Sequence, residues 1–373
     1  MTAESYLYGL EHASHDFTEE KSFGKNIFTN AFPISLAIYM SCKRNIDPNY
    51  IAAGLDAHGN PEIRHTLRPL EDIVGAPIDQ AFWAFEDSFA GYDIFATEEV
   101  NRSDLVVRNL KTDEETRAFE VKLVAAPTSG TAKKPREMQS CEIVVRPPTI
   151  EQMCFSIASS YGIDRRHEIG DMIAAQLEHP MDYQWTDEVY MLDKLPQVLS
   201  AAEEIISEGI DSQTPFVLNA LWRTKGTSTV FDDECFDVFF WSDLAFLQLF
   251  TKATRKALNS GASKIGRPAR SVIWLVKSLF DYAAQGTVTF EKTHSLITYG
   301  GQTDKAGAFS GSSVLSLIGC ENFYHPRIRS EEYRNIITPD GVELLSPERR
   351  LDGFIKTDFD YRTVDYQVVP FDK

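Results

Sequence analysis

Cysteine is scarce: Cys42, Cys141, Cys154, Cys235 and Cys320 are the only five in 373 residues, and no two lie closer than thirteen positions. An odd, scattered set offers neither a disulfide framework nor the paired spacing of a zinc knuckle, so it reads as reduced core thiols in a cytoplasmic protein. No run of about eighteen apolar residues is present, which argues against a membrane-spanning helix. Glu4, Glu11 and Asp16 make the start of the chain unlike a secretory leader. The eight histidines form no HxH, HExxH or HNH-like group, and no Gly-x-Ser-x-Gly elbow occurs. Gly24-Lys25 is not a phosphate-binding Walker loop, because Glu19 stands where that loop requires glycine. Gly300-Gly301-Gln302 reads as plain loop sequence.

Positive charge is also short overall. The formal net charge is −18, which argues against a general polyanion binder, since each phosphate contact needs a cationic group. Distribution matters more than the sum. From Leu244 to Phe280 there is no Asp or Glu, yet Lys252, Arg255, Lys256, Lys264, Arg267, Arg270 and Lys277 all fall there. That segment is either a solvated helix face or a phosphate-contacting surface. Within it, Gly266-Arg267-Pro268 is an ordinary reversal or a loop that sets arginines at guanine edges.

With 43% hydrophobic residues the chain has material for a large core, and no internal repeat or clean domain boundary divides it. At its centre, Ser103-Asp104-Leu-Val-Val and Phe119-Glu120-Val-Lys122-Leu read as two strands, 104–107 and 118–124, joined by a charged turn at 111–117. Strand side chains alternate, so Glu120 and Lys122 share a face, and a hairpin brings Asp104 to it. Two converging carboxylates make an oxygen site for Mg²⁺, which needs only one or two from the protein when phosphate oxygens complete its shell. A neighbouring lysine offsets charge that builds on phosphorus. A solvated hairpin edge with alternating charges is the plainer alternative. Against it, both polar sets sit inside apolar runs. The pattern resembles the catalytic signature of the PD-(D/E)xK nucleases, with Ser103 where the superfamily's name has proline.

Around this hairpin, apolar spacing predicts helices over 67–74 and 79–89 and a strand at 92–95. Glu86 rides on the second helix as a candidate further catalytic carboxylate, or as a solvent-facing one. Lys133, Lys134 and Arg136 lie in a polar loop after the second hairpin strand, placed for phosphates beside a scissile bond. A strand follows at 141–146. Thr149-Ile-Glu-Gln152 then reads as a capping box opening a helix to Tyr161. Further helices are expected at 166–178 and 195–208, and strands at 216–222 and 236–241. Two helical stretches over 242–283 break at Ser260-Gly261 and Gly266. Strand is expected at 287–299, and Gly300 to Ser313 is loop.

The stretch SFGKNIFTNAFPISLAIYM at 22–40, with SDLVV and FEVKL downstream, resembles the HindVP-type family of type II restriction endonucleases over most of the chain. The resemblance implies an α/β fold: a PD-(D/E)xK core of mixed sheet flanked by helices, with additional helical and β insertions, in one endonuclease domain over 1–373. The catalytic core spans about 67–222 and a DNA-contacting segment 244–313. It implies Mg²⁺-dependent cleavage of double-stranded DNA at a short, GC-rich, near-palindromic site, by a homodimer paired in its system with a DNA methyltransferase. Asp104, Glu120, Lys122 and Glu86 are then the catalytic set, with Asp104 and Glu120 on the metal. Lys25, Asn26, Lys133, Lys134, Arg136, Lys256, Lys264, Arg267 and Arg270 are the candidate DNA contacts. A repair or junction-resolving nuclease with the same core, or a non-catalytic DNA-binding protein, are the alternatives.

Overall fold

Asp56 turns the chain back on itself by accepting the backbone N–H groups of His58 and Asn60, both at 2.8 Å, while Gly59 takes φ +79°. Such an Asp-initiated reversal needs a residue free to adopt left-handed backbone, and glycine supplies it. The turn joins strands β1 (Asn49–Leu55) and β2 (Pro61–Leu67), an antiparallel hairpin. A computed structural model describes residues 12–13, 33–34, 37–38, 40–42, 45–126, 142–145, 147–178, 180–209, 215–225, 228–231, 238–297, 299 and 313–316.

After a short helix α1 (Leu70–Val74) come three antiparallel strands, β3 (Ala81–Asp87), β4 (Ser103–Asn109) and β5 (Glu114–Ala126). The β4–β5 hairpin matches its expected place. Its turn is organised by Asn109, whose side-chain oxygen accepts from Lys111 N–H at 2.9 Å, and by Asp113 at φ +60°. Strand β6 (Glu142–Val145) and helix α2 (Pro147–Tyr161) follow, then α3 (Arg166–Gln176), α4 (Asp182–Thr186) and α5 (Glu188–Glu208). Strands β7 (Phe216–Lys225), β8 (Ser228–Phe231) and β9 (Val238–Trp241) lead to α6 (Asp243–Asn259), α7 (Arg267–Gln285), α8 (Phe290–Leu296) and β10 (Ser313–Ser316).

The strands form one mixed sheet in the order β10-β6-β5-β7-β9-β1-β2, with β4 and β3 leaving from β5 and β8 from β7. β5 is the pivot. Its first half pairs antiparallel with β4, as far as Leu105 opposite Phe119; from Glu120, opposite Phe216, it pairs parallel with β7. A three-stranded meander, a helix, and a strand parallel to the third meander strand realise the mixed-sheet core flanked by helices that was expected.

Alternation decides which side chains meet which helices. Ala84, Val106 and Ala118 face the larger core, built with Met153 and Phe155 of α2, Val198 of α5, Phe246 of α6 and Ile273 of α7. Trp83, Phe85, Leu105, Val107 and Phe119 face the opposite way, against Ile73 and Val74 of α1 and against Ile34, Ala37 and Met40. Both faces being covered explains why strands such as β9, Val-Phe-Phe-Trp, are apolar at every position.

Three expected elements come out differently. Residues 79–89 are not a helix; a 3₁₀ turn at Ile78–Gln80 leads into β3. Phe82, Phe85 and Phe89 have helical spacing, but Ala-Phe-Trp-Ala-Phe is equally suited to a pleated surface, and pairing with β4 settles the matter. The strand expected at 92–95 is part of a 3₁₀ helix, Ala90–Phe95, whose Tyr92 stacks on Phe155 and whose Phe95 meets Tyr282. The strand expected at 287–299 is mostly α8, where Phe290, Thr293 and Ile297 are buried at helical spacing; Val288 alone bridges to Ala96.

Candidate active site

The β4–β5 register ends at the Leu105–Phe119 pair; the next residue of each strand is Asp104 and Glu120, and alternation puts both on the face that carries Val106 and Ala118. The two carboxylates therefore continue an apolar face at the point where β5 exchanges β4 for β7. Asp104 is half-buried, and its Oδ2 accepts the N–H of Val121 at 2.8 Å, which fixes the carboxylate against the neighbouring strand. Glu120 is 8% exposed, and its own N–H donates to the carbonyl of Pro215. Lys122 holds its place in β5 with its backbone in register with Leu218; its side chain lies outside the described part.

Glu86 falls between the paired positions Phe85–Leu105 and Asp87–Ser103, which sets it opposite Asp104 on β3 rather than on a helix. Its φ of +51° is left-handed, a rare conformation for glutamate that breaks the regular strand geometry at this row. Among the described residues, no three His, Cys, Asp or Glu side chains are grouped to hold a metal ion. A pair of carboxylates remains a sufficient donor set for Mg²⁺ on a phosphate substrate, because the remaining ligands are waters and phosphate oxygens.

The first turn of α2 closes the same region from the helix side. The helix begins at Pro147, where a missing N–H costs nothing, and the expected capping box gives way to tertiary contacts. Gln152 accepts the Ser103 hydroxyl at 3.3 Å and donates to the Asn101 carbonyl at 3.4 Å. Glu151 accepts from the Asn101 side-chain amide. Burial, with smaller contributions from the charges of Glu98 and Glu120, pushes the Glu151 carboxyl up to about 7, against the opposing hydrogen bond from Asn101. His294 Nδ1 lies 3.8 Å from Glu151 Oε1. That distance would admit an ion pair, but burial holds the imidazole down to about 4, so it is neutral at pH 7. The sequence signal for this cluster is the adjacent pair Glu151 and Gln152 next to the apolar run Met153–Phe155, a pattern that equally fits a helix cap.

A cavity of about 610 Å³ opens beside this turn, lined by Glu98, Glu99, Asn101, Glu151, Glu291 and His294 among others. Its described lining carries four carboxyl groups and no Lys or Arg, surroundings that disfavour a phosphate.

Of the acid-free segment, Lys252 and Lys256 are exposed on α6, Lys264 in the connection and Arg267 at the start of α7. Three other cations there have structural surroundings. Arg255 makes a two-pronged contact with Glu203, both arms at 2.5 Å. Lys277, only 4% exposed, binds Asp281 at 2.5 and 2.6 Å and Asp182 at 3.2 Å. Arg270 is buried, and desolvation lowers its pKa, which places it inside the α7 packing rather than on an outer surface. Lys25, Asn26, Lys133, Lys134 and Arg136 lie outside the described residues. Among the described residues no helix is long and apolar enough to cross a membrane.

Comparison with known proteins converges on one family. The model of the HindVP restriction endonuclease family matches residues 23–360. The chain is 33% identical over 353 residues to the type II restriction enzyme HgiDI of Herpetosiphon aurantiacus, covering 94% of each protein. It is 30% identical over 360 residues to the probable type II restriction enzyme HindVP of Haemophilus influenzae, covering 95% of this chain and 94% of the relative. No solved structure matches. A match that runs through both strands of the hairpin and through the helices on either face places this chain in the HindVP restriction endonuclease family.

Proposed function

We propose that this type II restriction endonuclease hydrolyses the phosphodiester bonds of double-stranded DNA at the row formed by Asp104 and Glu120, with Lys122 beside it. The observation that carries the reading is that the residues just beyond the last apolar pair of β4 and β5 are two carboxylates on one face, one of them held by the Val121 N–H. Gathering two carboxylates on one largely buried face is unfavourable unless a cation joins them. Asp104 and Glu120 are the residues that would hold Mg²⁺, which when bound supplies positive charge at the phosphoryl oxygens. Lys122 adds a second positive charge that meets the negative charge of the transition state and helps to orient the attacking water. Glu86, opposite Asp104, is a further carboxylate at the edge of the row.

Lys256, Lys264 and Arg267, with Lys25, Asn26, Lys133, Lys134 and Arg136, would contact the DNA. The target in this reading is short, GC-rich and near-palindromic, matching the twofold symmetry of a homodimer. The enzyme acts in the cytoplasm, where a cognate DNA methyltransferase protects the same sites. The test is single-turnover cleavage alongside gel-shift titration. Cleavage requires Mg²⁺ or Mn²⁺, whereas binding survives in Ca²⁺, which enters oxygen sites with looser geometry. Lys122→Ala lowers the cleavage rate by about 10² to 10³, the scale of losing one electrostatic catalytic group, and leaves binding in Ca²⁺ little changed. Glu120→Ala loses cleavage similarly, and Asp104→Ala also weakens metal binding. Equal cutting in EDTA and in Mg²⁺, or a wild-type rate for Lys122→Ala, refutes the proposal.

A further inference from the structure

Asn101 and Ser103, just ahead of Asp104, are tied to a helix some fifty positions later in the chain, and the proposed chemistry makes no use of that tie. Gln152 is 3% exposed and employs both ends of its amide there, accepting from the Ser103 hydroxyl and donating to the Asn101 carbonyl. Glu151, 8% exposed, accepts from the Asn101 side chain. Ser103 is itself buried and immediately precedes Asp104. Packing alone does not call for such a network, since the rest of α2 attaches to the sheet through Ile150, Met153, Cys154, Phe155 and Ile157. Hydrogen bonds are directional where apolar contacts are not, so a satisfied buried polar network fixes an orientation that apolar packing leaves loose.

We propose that Glu151 and Gln152 are positioning residues for cleavage: through Asn101 and Ser103 they lock the start of β4, so that Asp104 meets Glu120 in the geometry the reaction needs. The inference rests on the reading of Asp104 and Glu120 as the active centre. Glu120's charge is among the causes that raise Glu151, which places the clamp and the carboxylate row in one electrostatic neighbourhood. A misplacement of about 1 Å in a reacting group is enough to cost on the order of 10²-fold in rate. The clamp lies one residue from such a group.

The experiment compares Asn101→Ala, Gln152→Ala, Glu151→Ala, Glu151→Gln and Asp104→Ala. Each is measured by single-turnover cleavage over a range of Mg²⁺ concentrations, by gel shift in Ca²⁺, and by urea unfolding. Asn101 is exposed, so its variant tests the clamp in a protein that still folds. Asn101→Ala, Gln152→Ala and Glu151→Ala should cut about 10- to 100-fold more slowly and need more Mg²⁺ for half-maximal rate, with DNA affinity unchanged. Glu151→Gln, which keeps an acceptor for Asn101, should recover most of the rate. If Asp104→Ala is inactive while Asn101→Ala and Gln152→Ala follow the wild-type Mg²⁺ curve, the clamp has no positioning role. Loss of cleavage only in proportion to loss of folded protein also overturns the inference. Normal cutting by Asp104→Ala removes the active-site reading itself, and the clamp with it.

Discussion

Glu151 and His294 face each other across 3.8 Å with opposite proton-linked effects on stability, and the pair can be taken apart by pH. For Glu151, burial raises the folded carboxyl from an ordinary 4.5 to about 7. Its contribution is fully present below 4.5, where folded and unfolded chains both hold the proton, and it is lost as pH rises through 7. At about 1.4 kcal/mol per pH unit, the swing is about 3 kcal/mol. For His294, burial depresses the folded imidazole from 6.5 to about 4. Its contribution is present above 6.5 and is lost as pH falls towards 4, again by about 3 kcal/mol. From pH 7 down to 4.5 the first group gains what the second loses, so the two largely cancel in the wild-type protein. Glu151→Gln removes the gain, and its stability should fall relative to wild type by about 3 kcal/mol over that interval. His294→Asn removes the loss, and its stability should rise by a similar amount. The assay is urea unfolding at a series of pH values without divalent cations, comparing the slopes of stability against pH, so a constant cost of either substitution drops out. Two variants with the wild-type pH dependence would show that neither group changes its proton affinity on folding.

Among the exposed cations of the 244–280 segment, alanine at Lys256, Lys264 or Arg267 should make log K for DNA shallower against log salt by about one unit each; wild-type slopes for all three would mean that the segment faces solvent. Lys277→Ala should act on stability instead of DNA binding, since it leaves the half-buried Asp281 without its cation, a loss of about 1–3 kcal/mol in urea unfolding. An Lys277→Ala protein as stable as wild type would show that Asp281 reaches solvent or another partner.

Local pattern was enough for the hairpin that carries Asp104 and Glu120. Alternation along Phe119–Leu123, an Asp-bearing turn and apolar neighbours all point the same way, and a two-residue period leaves the face of Glu120 no freedom once one side is buried. The same holds for the helices over 243–285, where Ser242 caps the first, its hydroxyl accepting from Ala245 N–H at 3.1 Å, and Pro268 opens the second. The acid-free run of cations was also plain in the sequence. Its division into an outer set and a structural set was not, because Glu203 and Asp182, which bind Arg255 and Lys277, come from α5 and α4. Where two local patterns competed, as for Phe82, Phe85 and Phe89, the partner strand chose, and that partner is known only after the sheet has assembled. The β1–β2 hairpin is not legible in the sequence, for its alternation is weak and its position at the sheet edge is set by the parallel pairing of β1 with β9. Gln152 shows the limit most directly. In the chain it is a residue three after a threonine, which is a cap; in the fold it is a bridge to Asn101 and Ser103, because only the packing of α2 against β4 brings those groups within hydrogen-bonding distance.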